Sequence, residues 1–152
     1  MRRIILDTNL LVLLIVGLTD EKLISKHKRA RTFVPEDFLL LQLFLQDYQQ
    51  IVVTPHILAE TSNLAAQIGD PDKSKILQTL GLFISVQEEI QHPSKNAVNS
   101  LYFARLGLTD SVILEILPEG LPLLTDDLSL YLQAVSAEHQ AYNFNHLRQE
   151  YL

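Results

Sequence analysis

Residues 4–16 hold two apolar segments parted by Asp7-Thr8-Asn9. Ile4, Ile5 and Leu6 are too few and too β-branched to prefer helix, so they predict a buried strand. Leu10 to Val16 is apolar on every side, the mark of a helix buried all round. Asp and Asn favour turns and helix caps, which makes residues 7–9 the corner between the two. Asp7 is thereby placed at the carboxyl end of a strand, facing a helix amino terminus, where open α/β sheets form their sites. A carboxylate between two apolar segments is costly to bury unless a backbone cap or a cation compensates it.

The rest of the chain repeats this alternation. Ile51-Val52-Val53 predicts a second strand, and Thr54-Pro55 a cap and first residue of a helix reaching Ile68 and stopping at Gly69. Leu121–Leu124 predicts a third strand, followed by a helix from Leu128 to Ala137, and Ala141–Phe144 a last short one. Between them, Pro35-Glu36-Asp37 opens a helix with acids in its first turn. Thr19-Asp20-Glu21 reads as another helix start, residues 72–91 as mostly helical with Leu82–Val86 open to a strand reading, and Ala97–Leu106 as helical. Thr109-Asp110 opens a helix closed by Pro118 and Gly120. Strands alternating with helices imply right-handed crossovers and a parallel sheet covered on both faces. A length of 152 residues suits one domain, spanning 1–152, and no linker or repeat divides it.

Charge is unevenly spread. The formal net charge is -6, yet seven of the twelve Lys and Arg fall within the first 31 residues. From residue 32 onward there are 5 basic and 15 acidic residues. Lys22, Lys26, Lys28, Arg29 and Arg31 form a basic segment, expected either as a solvated helix face or as a phosphate-tracking RNA contact at the mouth of a site. No Cys is present, which removes disulfides, thiol nucleophiles and cysteine-ligated zinc and fits a cytoplasmic protein. Asp7, Thr8 and Asn9 interrupt the apolar amino terminus, and Leu10–Leu18 is too short to span a membrane, so no membrane association is expected. The five His residues show no metal-ligand spacing.

Four acids share one context. Asp7 and Asp127 follow strands, Glu60 lies in the second turn of the helix after the second strand, and Asp110 starts its own helix. Parallel strands bring Asp7, Glu60 and Asp127 out at one edge, and Asp110 joins them if its helix points its amino terminus there. Each acid alone has an ordinary reading as a cap or a solvated residue. Together they suit a hard cation, Mg2+ or Mn2+, which takes oxygen ligands and shares its remaining positions with water and phosphate. One or two such ions activate water for phosphodiester hydrolysis.

The chain resembles the PIN-domain nucleases. The opening strand with Asp7-Thr8-Asn9, the acid within Ile57-Leu58-Ala59-Glu60-Thr61, the Gly107-Leu108-Thr109-Asp110 helix start and the Leu123-Leu124-Thr125-Asp126-Asp127 strand end are similar to that family's motifs, in order. Phe144-Asn145-His146-Leu147 resembles its closing strand and tail. The resemblance implies a three-layer α/β/α sandwich with a central, mainly parallel sheet. It also implies a metal-dependent endoribonuclease, with Asp7, Glu60, Asp110 and Asp127 as catalytic metal ligands and Asn9 and Thr125 orienting carboxylates or water. Many relatives of this kind are homodimeric toxins of toxin–antitoxin pairs, so a homodimer and an antitoxin partner are implied as well. The 52 residues between Asp7 and Glu60 exceed the gap in compact members, and the excess holds the basic segment.

Two other readings compete. One is a non-catalytic PIN-like scaffold that binds RNA or protein. The other is a phosphatase with Asp7 as nucleophile, disfavoured because Asn9 stands where a second Asp is wanted. Within Thr125-Asp126-Asp127, strand alternation points Thr125 and Asp127 one way, and the resemblance, with Thr125 at the family's hydroxyl position, implies that Asp127 lies in the site beside it. Asp126 is then expected to face solvent or cap the next helix, and is kept as an alternative ligand should a turn begin at Thr125.

Overall fold

The apolar opening segment forms the central strand of an all-parallel, five-stranded sheet. A computed structural model describes residues 2–152. In chain order the elements are β1 (Arg3–Leu6), α1 (Thr8–Thr19), α2 (Pro35–Leu45), β2 (Gln50–Val53), α3 (Pro55–Ala65), α4 (Asp72–Val86), β3 (Glu88–Glu89), α5 (Ser94–Ala97), α6 (Phe103–Leu106), α7 (Leu108–Ile116), β4 (Leu123–Thr125), α8 (Leu128–Ser136), β5 (Ala141–Asn143) and α9 (Phe144–Tyr151). The strand order is β3-β2-β1-β4-β5, an α/β fold with the helices around the sheet. The chain winds outward from β1 on one side, then returns to β1 on the other. The direction of winding reverses between β1 and β4, so a crevice opens at their carboxyl ends.

The core follows from the two apolar segments at the start. Ile4 and Ile5 are wholly buried, and Leu10 through Gly17 are buried on every face of α1. Full burial of one such side chain contributes about 2 kcal/mol. Gly17 is small for a packing reason: a Cβ there would strike the ring of Phe38 on α2. Among the described residues no helix is long and apolar enough to cross a membrane.

Three expectations need correction, and at residues 82–86 the helical reading holds over the strand alternative. Residues 20–32 form no α-helix. Leu23, Ile24, His27 and Ala30 are buried at helical spacing, but the segment makes only two short 3-10 turns, Glu21–Leu23 and Ala30–Thr32. The His27 ring explains this: Nδ1 accepts from the Arg29 and Ala30 N–H groups, and Nε2 meets the Ala65 carbonyl at 2.9 Å. Leu82–Val86 is helical, within α4, and the strand lies just beyond it at Glu88–Glu89. Two glutamates carry no strand signal; they pair because β2 offers a free edge, and Arg3 Nη1 meets Glu88 at 2.5 Å. The stretch 97–106 is not continuous helix, since turns at residues 98–102 separate α5 from α6. The closing strand and tail are instead β5 followed by α9, whose cap is the Asn143 side chain accepting from Asn145 N–H.

Candidate active site

The crevice predicted from topology is where the acids meet. Asp7, Glu60, Asp110 and Asp127 all line one cavity of about 260 Å³, together with Thr8, Asn9 and the Leu106–Thr109 segment. Each acid arrives on a different element: the end of β1, the middle of α3, the start of α7 and the corner after β4. The approach to α7 depends on Gly107, whose φ of 87° is a conformation that side-chain-bearing residues rarely adopt.

Asp7 is the anchor. It is 5% exposed and caps α1, with Oδ1 accepting from Leu10 N–H at 3.2 Å. Its Oδ2 accepts from the Thr125 hydroxyl and from the Asp126 N–H at 3.2 Å. Thr125 Oγ1 in turn accepts from Asp127 N–H at 2.9 Å. The hydroxyl proton is therefore committed to Asp7, as expected for an orienting Thr125. Burial, and then the charge of Asp126, push the Asp7 carboxyl well above its ordinary range.

Glu60 is exposed but held. Oε1 accepts from Thr8 Oγ1 at 3.0 Å and Oε2 from Thr109 Oγ1 at 2.5 Å. Sequence reasoning missed both threonines as orienting groups. The available signal was their place inside Asp7-Thr8-Asn9 and Gly107-Leu108-Thr109-Asp110, each flanked by an assigned residue. Asp110 is pushed up to about 7, first by burial and then by the charges of Asp127 and Glu60.

The corner after β4 departs from strict alternation. Asp127, not Asp126, caps α8: its Oδ1 accepts from Leu130 N–H at 3.0 Å while the residue also lines the cavity. Asp126 neither caps the helix nor turns to open solvent. It is half-buried beside Asp7, with Asn9 Nδ2 at 3.5 Å from its Oδ1, and burial raises its carboxyl. The cause is the Thr125 side chain, which bonds the main chain two residues on and turns it. The carboxylate within reach of Asn9 is therefore that of Asp126.

The basic segment lies elsewhere. None of Lys22, Lys26, Lys28, Arg29 and Arg31 lines the acid cavity. His27 ties the segment to the carboxyl end of α3, and Arg29 Nε donates to Gln67 at 2.9 Å. These contacts hold His27 and Arg29 against the carboxyl end of α3, outside the lining of the acid cavity.

The donor set is oxygen only and crowded with like charge, which fits a hard divalent cation in kind. Among the described residues no three acidic or histidine side chains converge closely enough to hold an ion as they stand. Mg2+ is commonly bound through one or two carboxylates, with water and phosphate completing its shell. Compared with known proteins, the chain matches no family model, and no curated protein is significantly similar to it.

Proposed function

We propose that this protein is a metal-dependent endoribonuclease of PIN type. The observation that carries the reading is the meeting of Asp7, Glu60, Asp110 and Asp127, from four separate elements, in one cavity at the crevice between β1 and β4. A structural role asks for one cap per helix; it does not ask for Glu60 and Asp110 to face Asp127 across a cavity.

Asp7, Glu60, Asp110 and Asp127 would hold Mg2+ or Mn2+, directly or through its bound waters. Bound there, the ion supplies an activated water and neutralises charge on the scissile phosphate. The chain's own residues prepare the site. Thr125 and the Asp126 N–H fix the Asp7 carboxylate from one side, and the Leu10 N–H from the other. Thr8 and Thr109 fix the Glu60 carboxylate plane, so its rotamer entropy is lost on folding rather than on binding. Burial and the charges of Asp127 and Glu60 raise the Asp110 carboxyl to about 7, and a cation bound there would favour its ionised form. The toxin role, an antitoxin partner, a homodimer and a cytoplasmic location belong to the same proposal, and a small reading frame beside the gene would support the first two.

The test is cleavage of single-stranded RNA with Mn2+ present, against a chelator and against Asp7→Asn. Cleavage that needs Mn2+ and is lost in the variant supports the reading. That no three of these side chains converge to hold an ion as they stand gives a specific reason to keep one rival, a scaffold that binds RNA or protein without cutting. RNA binding with no cleavage under any divalent ion would establish that rival instead.

A further inference from the structure

We propose that the cavity beside α9 is a second subsite for the RNA strand, in which Arg148 holds a phosphodiester oxygen next along from the acid cavity. This rests on the ribonuclease reading and adds the path of the strand to it.

A polyanion needs cations along its route, yet no Lys or Arg lines the acid cavity. The basic segment is tied to the carboxyl end of α3 and supplies none there. A cavity of about 530 Å³, lined by Val34, Asp37, Asn145, Arg148, Gln149 and Leu152, does contain one. Its size is within the usual range for small organic ligands. Asn145, on the wall of this cavity, donates through Nδ2 to the main-chain carbonyl of Asp126 at 3.2 Å, and the next residue, Asp127, lines the acid cavity.

Arg148 is built as a fixed fork. Its Nε donates to Asp37 Oδ1 at 2.9 Å and its Nη1 to Asn145 Oδ1 at 3.2 Å. Its guanidinium lies over the Phe33 ring, 5.3 Å from the centroid. Three contacts fix its plane, while 33% of the side chain stays exposed. Nη2 has no protein partner among the described residues. The ion pair with Asp37 engages only Nε, which leaves Nη2 as a free donor rather than a free charge. A planar guanidinium with spare donors, on the wall of a cavity, is the geometry that takes phosphate. Val34, 48% exposed, offers apolar wall for a sugar or base, and the Asn145 and Gln149 amides offer polar groups.

The experiment measures binding of labelled single-stranded RNA by fluorescence anisotropy across a salt series. It uses the full chain in the Asp7→Asn background, with cleavage by the corresponding Asp7 proteins run in parallel. Arg148→Gln alone strands a buried Asp37, so the informative variant is Asp37→Asn with Arg148→Gln, checked for folding by its melt. Affinity should fall about tenfold, and the salt slope should flatten by about one phosphate contact. Asp37→Asn alone, which leaves Arg148 in place, should bind as tightly as the parent or more tightly. A folded double variant with unchanged affinity and slope overturns the subsite, and leaves the nuclease reading standing if Mn2+-dependent cleavage is seen. Arg148-dependent binding without any cleavage upholds the subsite and overturns the nuclease reading. A protein with native Asp7 that neither binds nor cleaves RNA removes both.

Discussion

Asp7 and Asp37 are both buried carboxylates at the start of a helix, and the chain treats them oppositely. Asp37 accepts from the Val34 N–H at 2.9 Å and has its own cation, Arg148. Asp7 has only neutral donors, and the nearest charge is another acid, Asp126. A buried charge paired within the chain serves the fold. A buried charge left with repelling neighbours costs stability, and it is the uncompensated one that we propose takes a cation from outside.

The sharpest way to break this contrast is exchange of the two acids for their amides. Asp7→Asn should lose Mn2+-dependent cleavage by about a thousandfold or more, the scale of removing a group central to catalysis. Its metal-free melting temperature at pH 8 should be no lower than that of the parent, because repulsion is relieved. A variant that still cleaves, or that melts clearly lower, would place Asp7 among the structural acids with Asp37.

Arg148→Met tests the other half. It leaves Asp37 without its cation, and urea unfolding should show a loss of about 3 kcal/mol, the low end for a broken buried pair because Arg148 is partly exposed. A loss below about 0.5 kcal/mol would put this pair with ordinary surface ion pairs.

A smaller effect is expected at Glu60. Thr109→Val removes one of its two hydroxyl donors and should weaken Mn2+ binding, read by calorimetry, about tenfold. Thr109→Ser should restore it. Equal binding by the Val and Ser variants would mean that Glu60 needs no holding.

The contrast also reaches the pH dependence of the metal-free fold. Asp7 and Asp110 have folded-state values raised above those of the unfolded chain, Asp110 to about 7. The native state therefore binds more protons than the unfolded state across that window. Stability should fall as pH rises from about 4 through 7, and Mn2+ should offset the fall by binding only the native state. Melts that rise with pH over this range would contradict an uncompensated cluster.

Much of this was legible in the chain, for identifiable reasons. Ile4–Val16 declared a strand, a corner and a helix because local pattern and tertiary burial agree there. Thr54-Pro55 and Gly107-Leu108-Thr109-Asp110 declared helix starts by cap chemistry, and the acids followed from parallel strands. What could not be read depends on partners distant in sequence. His27 abolishes a helix by bonding its own main chain and Ala65. Glu88–Glu89 is a strand only because β2 is there to pair with. Asp126 and Asp127 exchange the expected cap because one threonine hydroxyl turns the corner. The holding of Glu60 by Thr8 and Thr109 spans 52 and 49 positions, beyond any local signal.

The central position of β1 also has a consequence for the order of assembly. Asp7 and Thr125 are 118 positions apart, and β4 must dock beside β1 before their bond can form. β1 thus emerges from the ribosome well before the strand that completes it. Long-range parallel pairing of this kind is slow to form. Until it does, the apolar edge of β1 stands open, and closing it is the step that drives the acids together. Folding speed, and protection from aggregation during synthesis, are therefore tied to the same crowding of charge that makes the cavity.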